Sequence, residues 1–102
     1  MLLEQRSVSH KTPLDGKLEI SPAVASRLAT LGAELMVASG GREQRARLEA
    51  MTCACEKGRA MNGGEPHTHH FVEAPILKEL PPGTDVRLDL DETRPLLRID
   101  QV

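Results

Sequence analysis

Aromatic side chains are almost missing from this chain of 102 residues: Phe71 is the single aromatic, and tryptophan and tyrosine are absent. Large rings usually carry much of the buried area of a small domain, so a core here must be assembled from Leu, Val, Ile, Ala and Met. The same lack argues against single-stranded nucleic acid as a ligand, because that mode of recognition uses aromatic stacking platforms. An excess of one charge is missing too. Lys and Arg number 13 against 15 Asp and Glu, and a net charge of −2 gives no global attraction to a polyanion. Five Lys or Arg against three Glu between Arg42 and Arg59 form a slight basic excess, which leaves nucleic acid a weakly supported partner and otherwise reads as a solvated strand face.

Long apolar runs are also absent. No stretch approaches the ~20 apolar residues needed to span a bilayer, and the first residues, MLLEQRSVSHKT, lack a basic region followed by an apolar one. The expectation is a soluble, cytoplasmic protein with no membrane partner. Cysteine occurs only at Cys53 and Cys55. A disulfide between them would close a very tight, strained ring, and no third cysteine offers another pairing. In a reducing compartment both thiols are available to a metal.

What the chain does have is concentrated in the segment CACEKGRAMNGGEPHTHH, Cys53 to His70, which holds both cysteines and three of the 4 histidines. Cys53 and Cys55 are two positions apart, as are His67 and His69, and a stretch rich in Gly and charge separates the pairs. Two soft thiolates and two imidazoles are the ligand set that tetrahedral zinc prefers. The thin core supplies a reason for such a site. Domains of this size keep a net stability of about 5–15 kcal/mol, and one structural zinc contributes an apparent ~10–16 kcal/mol at pH 7.

At this length the chain is one domain. Residues 1–16 show no clean periodicity and contain Ser7, Ser9, Thr12, Pro13 and Gly16, which suggests a loosely ordered N-terminal arm or a short edge strand ahead of a single metal-binding domain over 17–102. KLEI alternates as a strand. In SPAVASRLATLG, Ser21 suits an N-cap, Pro22 the first helical turn and Gly32 the position past the end, while Val24, Leu28 and Leu31 make one apolar stripe, predicting a helix over about 22–31. Gly40 and Gly41 separate ELMVAS from REQRARLEAMTCAC as a hairpin signal. A helix over 43–51 competes for the second run, since Arg, Glu, Gln, Ala, Leu and Met are strong helix formers. Strand is preferred because its period of two puts both thiols on one face.

THHFVEA reads as a strand, PILKEL as a helical turn from Pro75, PPGT as a turn, and DVRLDL and LLRIDQV as strands. Most connections are too short for parallel crossovers. The fold class predicted is α+β: a small, mainly antiparallel twisted sheet or partly open barrel of about five to six strands, with the helix covering one side and zinc stapling one strand pair.

On a strand, residues i and i+2 project to one side about 6.5–7 Å apart, so Cys53 with Cys55, and His67 with His69, can each reach one ion. If their strands pair, the ligands meet at the mouth of the glycine-rich loop. The spacing departs from the zinc-finger knuckle, so DNA-reading fingers are not implied. His70 falls on the opposite face of its strand, and His10 reads as a surface residue. Met51 extends the thiolate face, and thioether, thiolate and imidazole together suit Cu(I), which makes a copper or zinc carrier or a metal-responsive sensor the rival function. Glu73 shares the face of His67 and His69, so HTHHFVE also fits two histidines plus a carboxylate, as in open catalytic sites. Those residues resemble the first histidine motif of the cupin barrels, which implies metal binding by the His-x-His pair and the glutamate; glycine spacing differs on both sides and no later histidine motif follows. An enzyme is the third reading. The preferred function is a zinc-stabilised interaction or regulatory module whose partner is a protein or a second copy, because exposed sheet edges in a short chain invite pairing.

Overall fold

The computed structural model describes residues 1–31, 35–53, 60, 63–64, 67–91 and 93–102, with Cys53 described by its backbone alone. The elements run β1 (Leu2–Ser7), α1 (Thr12–Asp15), β2 (Lys17–Ile20), α2 (Pro22–Ala29), β3 (Met36–Ser39), β4 (Arg42–Arg45), β5 (Arg47–Cys53), β6 (His67–Glu73), a 3-10 helix (Pro75–Glu79), β7 (Asp85–Asp91) and β8 (Leu96–Gln101). Among the described residues the strands form a five-stranded sheet in the order β1-β7-β8-β3-β4 and a three-stranded sheet in the order β2-β6-β5. The β3–β8 pair is parallel and the other pairs are antiparallel. The protein is a small α+β fold with mostly antiparallel strands and few helices.

One sheet or partly open barrel of five to six strands was the expectation, and the described residues instead divide eight strands between two sheets. The division happens at Ala46. Residues 42–53 read as one alternating run, yet β4 pairs with β3 whereas β5 pairs with β6. Between them Ala46 is buried, and its N–H donates to the Leu35 carbonyl at 2.9 Å. A small side chain at this corner lets the chain pass from one sheet to the other without leaving an orphan amide. Where strand and helix competed over 43–51, the pairing of β4 with β3 and of β5 with β6 selects strand.

Local signals explain most of the elements. The Ser21 hydroxyl accepts the Val24 N–H at 3.2 Å as the N-cap of α2, and Pro22 opens the helix. α2 ends at Ala29, two residues short of the predicted boundary; Thr30 and Leu31 continue as i→i+3 turns onto Arg27 and Leu28. The expected role of Gly32 lies outside the described residues. Gly40 and Gly41 both have positive φ, 59° and 80°, as a two-residue type I′ hairpin requires.

The N-terminal residues, for which a loose arm or a short edge strand was expected, contain β1, an edge strand paired with β7, and the short helix α1. Gly16 ends α1 in the left-handed region at φ 70°, with its N–H on the Thr12 carbonyl at 2.8 Å. Its own carbonyl accepts the Ala74 N–H at 3.0 Å, extending the β2–β6 ladder by one bond.

One cluster of buried Leu, Val, Ile and Ala side chains draws on both sheets, on α2 and on the 3-10 helix. Leu18 and Ile20 of β2, Val72 of β6, Val24 and Leu28 of α2, Val86 and Leu88 of β7 and Leu77 all belong to it. Phe71, the lone ring, is only half-buried. The core is aliphatic throughout, as the composition required.

Candidate metal centre

The direction of the histidines is decided by Val72. Because it is fully buried in β6 against Leu18 and Ile20, the alternation of the strand turns His67, His69, Phe71 and Glu73 to the other side of the sheet. Register adds neighbours to that outer face: Cys53 lies opposite His67, Met51 opposite His69, Glu49 opposite Phe71 and Arg47 opposite Glu73 on β5. On the far side of β6, Glu19 pairs with Phe71 and Lys17 with Glu73 on β2.

Within this face the His67 and His69 rings meet edge to face, their centroids 4.4 Å apart, and the two Nε2 atoms are 2.8 Å from each other. The His69 Nδ1–H donates to Glu19 Oε2 at 2.8 Å. A carboxylate therefore holds the ring from behind while Nε2 points at the neighbouring imidazole. The Phe71 ring lies next along the strand, 6.3 Å from His69.

The rest of the face is an ion-pair ladder. Lys17 Nζ meets Glu49 Oε2 at 3.0 Å, and this hydrogen bond holds the lysine above its usual pKa. Arg47 donates from Nε to Glu73 Oε1 at 3.0 Å and also from Nη2, which raises the guanidinium further. Glu73, a candidate ligand or general base on sequence grounds, is thus engaged by Arg47, and the carboxylate that touches His69 is Glu19. Sequence reasoning missed Glu19. It is an exposed residue of an ordinary alternating strand, 50 positions from His69, and only the β2–β6 pairing brings it near.

His70 takes the opposite face, as its register with Ile20 and Ala50 requires, and it lines a shallow groove of about 210 Å³ with Ala25, Ala29, Leu48 and Ala50. His10 is exposed in a turn. Of the four expected ligands, His67 and His69 are brought together; the Cys53 side chain and all of Cys55 lie outside the described residues. Among the described residues no group of three or more His, Cys, Asp or Glu side chains is placed to hold a metal ion, and no helix is long and apolar enough to cross a membrane.

The fold and this face define a small two-sheet α+β domain that carries a paired-histidine site at one end of the β5–β6 ladder. No protein family and no curated protein matches the chain.

Proposed function

We propose that this chain is a small zinc-binding domain in which Cys53, Cys55, His67 and His69 hold one ion at the mouth of the glycine-rich loop 56–66, and that it acts as a protein-interaction or regulatory module. The observation that carries the reading is the convergence of two imidazole Nε2 atoms at 2.8 Å on the strand whose partner places Cys53 opposite His67. A tetrahedral zinc with Zn–N distances of about 2.0–2.1 Å sets two imidazole nitrogens roughly 3.3 Å apart. The present pair is about half an ångström closer than that, and both rings would turn so that their Nε2 lone pairs meet on one ion.

In this reading the metal staples β5 to β6 where their ladder ends, and it anchors both ends of a Gly-rich segment that is otherwise costly to order. The thiols remain reduced, as in a cytoplasmic protein. The interaction surface is an edge of the three-stranded sheet, β5 or β2, that is unpaired among the described residues, and its partner is another protein or a second copy.

A second reading, a Cu(I) carrier or sensor, is favoured by Met51. This side chain is 51% exposed and lies opposite His69, so a thioether is available at the same ladder end.

Native mass spectrometry of freshly purified chain, followed by circular dichroism with a strong chelator, separates these readings. One tightly held zinc whose removal melts the domain supports the structural staple, and Cys53→Ser should then fail to fold. Copper bound and released without a change of fold selects the carrier. A chain that takes up neither ion and keeps its fold ends the metal reading.

A further inference from the structure

We infer that Glu19 is the positioning residue of this metal centre: it presents His69 as an Nε2 ligand before any ion arrives and biases the site towards a divalent ion over Cu(I). The inference rests on the reading of the preceding subsection and adds to it a residue from a third strand.

The chemistry follows from one hydrogen bond. A carboxylate only accepts, so the 2.8 Å contact of Glu19 Oε2 with His69 Nδ1 puts the ring proton on Nδ1. The neutral ring then carries its lone pair at Nε2, the atom that faces His67. His67 Nε2 lies 2.8 Å from that lone pair and donates its proton to it. An ion entering between the rings displaces this one proton, which leaves to solvent. His69 is thus already in its ligand form, and His67 rearranges on loading.

The remaining carboxylates of the face are matched by cations, Glu49 by Lys17 and Glu73 by Arg47, whereas Glu19 is matched by a histidine. Its negative charge stands directly behind a ligand. At a given distance that charge attracts a dication about twice as strongly as a monocation, and hydrogen bonding to Nδ1 makes the imidazole a better donor. Because Glu19 sits on β2, across β6 from β5, metal occupancy reaches all three strands of the sheet.

The test uses the full chain labelled with 15N-histidine. Long-range 1H–15N correlation spectra report the tautomers, and competition against chelators reports affinity for Zn2+ and for Cu(I). The metal-free wild type should show His69 as the Nδ1–H tautomer. Glu19→Ala should lose that tautomer and bind zinc about 10–100-fold more weakly, with a smaller loss for Cu(I). Glu19→Gln keeps an acceptor oxygen and should restore the tautomer without restoring the preference for zinc. Glu73→Gln, on the same face but held by Arg47, should match the wild type in both measurements. Far-UV circular dichroism of each metal-free variant checks that the fold is retained. Wild-type zinc affinity in Glu19→Ala, or an Nε2–H tautomer of His69 in the wild type, would overturn the inference. Failure of the wild type to bind either ion instead removes the metal reading on which it rests.

Discussion

A methyl group placed on Gly16 strikes the point where α1, β2 and β6 are joined. Gly16 has φ 70°, and an added Cβ would lie 2.9 Å from the Ala74 carbonyl oxygen and 3.4 Å from Lys78 Cγ. An L-residue in the left-handed region costs about 1–2 kcal/mol, and overpacking against a fixed group costs about 1–3 kcal/mol. The lysine end can move; the Ala74 carbonyl is held in place, since it accepts the Leu77 N–H at 3.0 Å and the Ala74 N–H is bonded to the Gly16 carbonyl at 3.0 Å. Reduced freedom of the unfolded chain returns about 0.4–1 kcal/mol. The expected net destabilisation by Gly16→Ala is therefore about 1–4 kcal/mol, which for a domain of this size lowers Tm by roughly 5–30 °C.

Gly83 supplies the control. Its φ is 82°, yet nothing lies within 4 Å of the Cβ it would carry. Gly83→Ala should cost only the conformational part, about 1 kcal/mol. Urea unfolding of both variants, followed by circular dichroism under identical metal loading, measures the difference. Equal losses in the two would refute the role given to the Ala74 carbonyl, and a stabilised Gly16→Ala would refute the backbone reasoning as well.

Two further outcomes are expected. Thr12 is 1% exposed and its hydroxyl donates to the Lys17 carbonyl at 2.8 Å; Thr12→Val keeps the shape, strands that carbonyl and should cost about 1–2 kcal/mol in urea unfolding, so unchanged stability would show that the bond contributes little. The Thr93 hydroxyl and amide donate to Asp91 Oδ1 at 2.7 and 3.1 Å and hold this carboxyl below the usual range. Since the folded value lies below the unfolded one of about 3.9, the associated stability is fully present above that pH and is lost as pH falls through the folded value. Thr93→Val should move the Asp91 titration upward, read by carboxyl NMR, and narrow the stability difference from wild type in acid; an unmoved titration would contradict the assignment.

Part of this architecture is written in short-range chemistry and was legible as such. Ser21-Pro22 starts α2 because a hydroxyl caps an amide three residues on, Gly40-Gly41 turns β3 into β4 because both positions need positive φ, and the alternation of Val86, Leu88 and Leu90 is the pleat of a strand with one buried side. The Cys-x-Cys and His-x-His spacings made the pairing of their strands a condition of the site rather than a consequence of the sequence; β5 does pair with β6, in a register that sets Cys53 against His67. The clustering of two cysteines and three histidines between Cys53 and His70 is a property of the sequence alone.

What only the tertiary structure decided are the relations between distant segments. The turn at Ala46 cannot be read from residues whose local preferences suit one long strand, or even a helix; burial of a small side chain and the pairing of β4 and β5 with different sheets put it there. Glu19 comes within hydrogen-bond reach of His69 because β2 pairs along the other edge of β6, and Glu73 is held by Arg47 of β5. Dihedral preferences and caps act over a few residues and are visible in composition and spacing, whereas strand order is set by which arrangement buries the aliphatic core, and that is a property of the whole chain.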